Sequence, residues 1–264
     1  GSAQPQSPVE LFSERFFRGF SRYVRFFYGR NFSGVRVLNP ENATIPPDRA
    51  AVIFCNHSAW WDGIMVHLLS STLIKDRKPF APMDQAALQH YGFFRRVGMF
   101  GIEQDTRRGA AQFLKTSREL LARTDVALWM TPQGDFFDPR VRPIRFKPGL
   151  AHLARDRKAV LIPLAIENPF WQERKPEALF NFGRPIDAAA LKQRPVGAWN
   201  KLLEDRLTET MDELAAASIE RNPDPFETLI AGSVGVNPVY DAWQFAKAVA
   251  TGKKFSRRHR DVST

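Results

Sequence analysis

Three runs in the middle of this chain, RAAVIFCN (49–56), DVALWMTP (125–132) and AVLIPLAIE (159–167), are apolar almost without interruption. Each is short and bounded by polar residues, so each reads as a buried strand. The segments around them carry helical spacing instead. GIMVHLLSSTL (63–73), QAALQHYGFFRRVG (85–98) and PGLAHLARDRK (148–158) read as helices. RRGAAQFLKTSRELLART (107–124) is the strongest, with Ala111, Phe113, Leu114, Leu120 and Leu121 as its apolar side. KPFAPM (78–83) and MFGIEQ (99–104) add two short strands. Strand and helix alternating in this way specify an α/β fold, a largely parallel sheet flanked by helices. Residues 197–221 read as a polar helix, and Pro223 and Pro225 break the chain after it. The expected division is an amphipathic helical segment over 8–34, an α/β domain over 35–222 and a basic, aromatic segment over 223–264.

With 264 residues and 44% hydrophobic content the chain can bury one large core. The leading Gly1-Ser2 reads as a cloning remnant and is left out of the fold argument. The single cysteine, Cys55, excludes an intramolecular disulfide framework and fits a reducing compartment. Its place within a strand makes it a buried structural thiol. Lysine and arginine exceed aspartate and glutamate by 38 to 28, a net charge of +10. Such a surface attracts anions: nucleic acid, lipid head groups or phosphorylated cofactors. No stretch approaches the roughly 20 apolar residues that span a bilayer, and there is no secretory signal pattern. Membrane contact is therefore expected at the surface, on the cytoplasmic face.

Residues 11–30, LFSERFFRGFSRYVRFFYGR, favour lipid among those anions. At about 100° per residue, Arg15, Arg18, Arg22 and Arg25 fall within an arc of roughly 80°. Phe12, Phe16, Phe17, Phe20, Tyr23, Val24 and Phe27 occupy a separate arc of roughly 140°. Leu11 and Phe26 break the pattern. A basic face opposite an aromatic one suits a helix lying in a membrane interface; the alternative is a terminal helix packed on its own domain. Tyr240, Trp243 and Phe245 with the basic run Lys253–Arg260 repeat the theme at the other end, either on anionic lipid or as a solvated tail. No nucleic-acid-binding motif is present, so nucleic acid is not an expected partner.

Directly after the first buried strand comes CNHSAWWDGI (55–64), with His57 five positions before Asp62. On a regular helix those side chains would stand about 140° apart. They meet only if His57 lies in the turn and Asp62 in the first helical turn. There the carboxylate can hold one ring nitrogen and leave the other free as a base, the base-plus-orienter half of a catalytic triad. A plainer reading makes the histidine a cap and the aspartate a favourable first-turn charge. The carboxyl end of a strand in an α/β sheet is also where ligands bind.

The order of four blocks resolves that choice. NHSAWWD (56–62), GIEQDTRRG (101–109), TPQGD (131–135) followed by RFKPGLAHLA (145–154), and VLIPLAI (160–166) occur in sequence. In this the chain resembles the PlsC-like glycerolipid acyltransferases, the 1-acylglycerol-3-phosphate O-acyltransferase family, whose signature is a histidine, four residues and an aspartate. The resemblance implies transfer of a fatty acyl chain from a thioester, acyl-CoA or acyl-ACP, to a lipid hydroxyl. It needs no metal and no cofactor beyond that co-substrate. It makes His57 the general base and Asp62 its orienter, places oxyanion donors near Gly134, and has Pro163 close the buried strand of the fourth block.

The third block departs from the family pattern. Where the family has a glutamate and an arginine, this chain has Gln133 and Phe136. Arginine pairs bidentately with phosphate and phenylalanine does not. Phosphate recognition then passes to Arg107 and Arg108, or to Arg140, Arg142, Arg145 and Lys147, which read alternatively as a solvated loop. An acceptor less dependent on phosphate, a glycosylated or neutral lipid, also fits. Trp60 and Trp61 are expected to wall the acyl channel or sit at head-group level, with at least one in the core. His67, His90 and His152 match no block and read as structural. A rival reading is a membrane-surface lipid-binding protein with this fold and no turnover.

Overall fold

The computed structural model describes residues 6–232; the aromatic and basic segment beyond, with Tyr240, Trp243, Phe245 and Lys253–Arg260, lies outside them. The described residues build one nine-stranded sheet. Its strands are β1 (Gly34–Leu38), β2 (Ala50–Cys55), β3 (Lys78–Asp84), β4 (Met99–Ile102), β5 (Val126–Met130), β6 (Ala159–Glu167), β7 (Glu177–Phe182), β8 (Ile186–Asp187) and β9 (Glu227–Ala231). The order is β4-β3-β5-β2-β6-β7-β1-β9, with β8 on β6. From β4 to β6 all neighbours are parallel; β7 and β8 run antiparallel to β6, and β9 antiparallel to β1. The sheet is thus largely parallel.

The helices are α1 (Pro8–Leu11), α2 (Glu14–Asn31), α3 (Asp62–Thr72), α4 (Gln85–His90), α5 (Arg107–Leu121), α6 (Gly149–Arg155) and α7 (Val196–Ile219). Continuous apolar runs in the central strands have a direct cause. Ile53 and Cys55 face one core, with Val24 and Tyr28 of α2 and Leu68 and Leu69 of α3. Val52 and Phe54 face a second, with Phe113 of α5, Leu150 of α6 and Trp199 and Leu203 of α7. Both strand faces are covered, so no alternation survives in the sequence.

Four local outcomes differ from the sequence expectation. Residues 85–98 do not form one helix: α4 ends at His90 and a 3-10 turn, Gly92–Val97, follows, the break falling beside Gly92, a poor helix former. Residues 227–231, beyond the proline break, form the edge strand β9 on β1. β1 and β7, short strands outside the central alternation, pair in parallel with each other. Pro163 does not close its strand, which runs on to Glu167. The Pro163 carbonyl accepts from Gly183 N–H at 2.9 Å, in the gap between β7 and β8. The missing proline N–H therefore falls where the ladder has no partner for it.

Candidate active site

Along the shared carboxyl edge of the parallel strands, β2 ends at Cys55 and its chain turns through 56–61 into α3. Asp62 is the first residue of α3 and His57 lies in the turn before it, the one arrangement in which they can meet. His57 Nδ1 donates to Asp62 Oδ2 at 3.1 Å. The same oxygen accepts from the backbone N–H of Ser58 at 2.7 Å and of Ala59 at 2.8 Å. Three donors offset the cost of holding a carboxylate whose side chain is 2% exposed. Because the carboxylate only accepts, the imidazole proton belongs on Nδ1 and the lone pair on Nε2. No hydroxyl or thiol among the described residues is hydrogen-bonded to Nε2. Burial first, and the Asp62 charge second, push the Tyr28 phenol and the Cys55 thiol upward. Cys55 is buried, with Sγ against the Met130 carbonyl at 3.7 Å.

Neighbouring elements fix the turn from three sides. Asn56 is clamped to β6 through Ile166, by bonds of 3.0 and 2.8 Å. The Tyr28 hydroxyl of α2 donates to the Trp61 carbonyl at 3.1 Å. The loop after β5 closes the third side, where Phe137 N–H donates to the His57 carbonyl at 2.8 Å. Neither Asn56 nor Tyr28 stands out by spacing in the sequence. The Asn-His pair at a strand end was the available signal for Asn56.

Trp60 and Trp61 both stay outside the core, at 66% and 37% exposure. That corrects the expectation that at least one is core. Trp61 lays its ring against Phe27, centroids 5.2 Å apart, and meets Phe32 and Trp60 edge-on at 6.3 and 5.5 Å. Phe136, in the place of the family arginine, lies over the His57 ring with centroids 4.2 Å apart. Gln133 is buried. Gly134 adopts φ +78°, a left-handed conformation that favours glycine in this turn, and the end of the Lys147 side chain lies against it. The Gly134 N–H is already donated to Thr131 O at 3.0 Å, which removes that group from the expected oxyanion donors.

The cations expected to meet the substrate are unequal. Arg140 pairs with Asp138, Arg142 with Asp212, Arg145 with Glu204 and Lys147 with Asp105, at 2.6, 2.7, 3.2 and 2.7 Å. The 140–147 cluster is therefore not a free basic patch: its charges meet acids from α7, from their own loop and from the loop before α5. Glu204 of α7 also accepts from Phe146 N–H at 2.8 Å, so this stretch is held to that helix. The Lys147–Asp105 pair ties the third block to the second. Arg107 and Arg108 differ: they stand exposed on the first turn of α5, with no ion pair among the described residues. The helix dipole disfavours a cation there by about 0.3–1 kcal/mol. Nothing among the described contacts ties either to the His57 turn. His67 is wholly buried under Phe17 and Phe20, His90 stacks edge-on against Tyr91, and His152 lies in α6.

A sequence profile of the acyltransferase family matches residues 34–167, just over half of the chain. The 1-acyl-sn-glycerol-3-phosphate acyltransferase of Saccharomyces cerevisiae is 22% identical over 193 residues, covering 68% of this chain and 60% of the yeast protein. The chain thus spans less than two thirds of that relative. The crystal structure of the 1-acyl-sn-glycerophosphate (LPA) acyltransferase PlsC from Thermotoga maritima superposes with a TM-score of 0.57 at 15% identity. It covers 76% of this chain and 80% of that one, a likeness of fold. The profile takes in His57, Asp62 and the loops around them: the chain belongs to the acyltransferase family.

Proposed function

We propose that the protein is a peripheral O-acyltransferase that moves a fatty acyl chain from a thioester, acyl-CoA or acyl-ACP, to a lipid hydroxyl such as that of a lysophospholipid or glycolipid. The observation that carries this reading is an imidazole held through Nδ1 by Asp62, with Nε2 unengaged and no nucleophile bonded to it. Such a base acts on a hydroxyl that arrives with the substrate. His57 Nε2 takes the proton as the acceptor oxygen attacks the thioester carbonyl; the C–S bond then breaks and the imidazolium returns the proton to the departing thiolate. Asp62 stabilises the imidazolium between those steps. Arg107 and Arg108, carried at a helix end where stability does not select them, serve the anionic part of donor or acceptor.

The attachment we propose is peripheral, on the cytoplasmic face; contact with a membrane surface is supported by α2, whose Arg15, Arg18, Arg22 and Arg25 are all exposed. No helix among the described residues is long and apolar enough to cross a membrane. Trp60 and Trp61 beside the catalytic turn suit head-group level. The test is product analysis with acyl-CoA and acyl-ACP over a panel of lysophospholipids and neutral hydroxylated lipids, for the wild type and His57→Ala. A positioned base contributes about 10²–10⁴-fold, so His57→Ala should lose at least that while staying folded. Undiminished transfer by purified His57→Ala would end this mechanism, and no transfer by either would favour a lipid-binding protein.

A further inference from the structure

We propose that a cleft between α2 and the 3-10 turn Gly92–Val97 binds an anionic phospholipid, at a site separate from the catalytic turn; this rests on the membrane-surface reading above. Ser13, Arg15, Phe16, Gly19, Phe20 and Arg96 line a cavity of about 370 Å³, within the range of small-ligand sites. Its floor is apolar and its two charged lining residues are both arginines. No acidic side chain lines it. The Arg96 guanidinium sits 4.7 Å above the Phe16 ring, and Phe93 packs against Phe20 with ring centroids 5.9 Å apart.

The cleft is built rather than incidental. Ser13 N–H donates to the Arg96 carbonyl at 2.9 Å, joining the two elements at its base, and Ser13 Oγ caps α2 by accepting from Phe16 N–H. Gly19 lies inside an 18-residue helix, where glycine is weaker than alanine. A Cβ there would meet nothing within 4 Å, so the fold itself does not need the space. What the bare backbone preserves is an open cleft floor. From Phe16 to Tyr28, which touches the catalytic turn, α2 advances about 18 Å, so the cleft and the catalytic turn meet α2 at different points along its length.

The lining selects the ligand. Two guanidinium groups suit a phosphate, and Phe16, Gly19 and Phe20 suit the start of an acyl chain. A free phosphate would leave the aromatic floor unused. Arg18 and Arg22, exposed on the same helix, add the long-range attraction to an anionic surface.

The experiment uses the full chain with phosphatidylcholine vesicles, with and without phosphatidylglycerol carrying a photoreactive group in its acyl chain. Crosslinks are mapped by mass spectrometry and total binding is read by co-sedimentation. Wild type should be labelled within 13–20 and 91–97. Gly19→Gln, which replaces glycine by a better helix former, should stay folded, still reach anionic vesicles through Arg18 and Arg22 though more weakly, and lose that label. Arg96→Ala should weaken binding to anionic vesicles about fivefold, the value of one basic residue near the surface. Label unchanged in Gly19→Gln, or found elsewhere on a vesicle-bound protein, overturns the cleft alone. Absence of any vesicle binding by the wild type overturns the membrane reading and the cleft together. A lipid-free dimer that Gly19→Gln dissolves would assign the cleft to a second copy and overturn the lipid.

Discussion

Asn56 and Ile166 exchange two hydrogen bonds, the Asn56 amide donating to the Ile166 carbonyl at 3.0 Å and the Ile166 N–H donating to Asn56 Oδ1 at 2.8 Å. The pair continues the β2–β6 contact beyond the last backbone-paired residue, Cys55. It carries the strand's rigidity into the residue directly before His57. Asn56→Ala leaves two buried backbone groups of β6 without partners, each costing about 1–3 kcal/mol. The expected result is a loss of about 2–4 kcal/mol in urea denaturation, with kcat falling more than KM rises. A variant of wild-type stability and kcat would remove Asn56 from the support of the base.

Asp62→Asn separates charge from geometry. Ser58 and Ala59 N–H both point at Oδ2, so an asparagine must place its oxygen there and keep accepting from His57 Nδ1. The tautomer is preserved, and the change removes only the negative charge that steadies the imidazolium. We expect kcat/KM to fall by roughly 10²–10⁴-fold with the fold intact. Near-normal rates would reduce Asp62 to a structural support of the turn before α3.

His67 gives a prediction about pH and stability. Burial pushes its pKa down to about 4 from 6.5. The folded state then binds fewer protons than the unfolded chain between those values, so stability is lost as pH falls through that window. The expected loss reaches about 3 kcal/mol by pH 4. His67→Leu, which keeps an apolar contact for Phe17 and Phe20, should abolish that part of the dependence. Denaturation midpoints of both proteins at pH 7 and pH 4.5 check it; parallel curves would show that His67 is protonated without cost.

What the sequence made legible follows from period and local spacing. Residues 50–55, 126–130 and 159–167 were visible because both faces of each strand are buried, and the His57–Asp62 contact because five positions across a strand-helix turn allow one geometry. The edge strand Glu227–Ala231, exposed along most of its length, has no such signature. Pairing across long separations was equally invisible. Nothing near Arg145 announces Glu204, 59 residues away, so a loop of four cations looked free when α7 and neighbouring acids hold it. The amphipathic pattern of α2 showed its two faces. It did not show that Val24 and Tyr28 enter the core, where each contributes about 1.5–3 kcal/mol. Removing residues 1–30 would therefore damage the domain as well as its basic face.

The acceptor is the sharpest remaining test, and it turns on Phe136. Its ring covers the His57 imidazole in the place of the family arginine, so that position offers the acceptor an apolar contact and no charge-assisted hydrogen bond. One such bond contributes roughly 1.5–3 kcal/mol, about 10- to 150-fold in affinity. Lys147 and Arg145 already face Asp105 and Glu204, so either would have to leave an acidic partner to meet a phosphate. Of the cations considered, Arg107 and Arg108 keep their charge free of acidic partners. We therefore expect lysophosphatidic acid to be favoured by less than about 100-fold in kcat/KM over a neutral hydroxylated lipid of equal chain length. Phe136→Arg should raise that preference by roughly tenfold or more. The measurement is kcat/KM for both acceptors with one donor, in wild type, Phe136→Arg and Arg108→Ala. A wild-type preference above 100-fold that collapses in Arg108→Ala would sink the neutral-acceptor reading, because the phosphate would then be held from α5 and the loss at Phe136 would be immaterial.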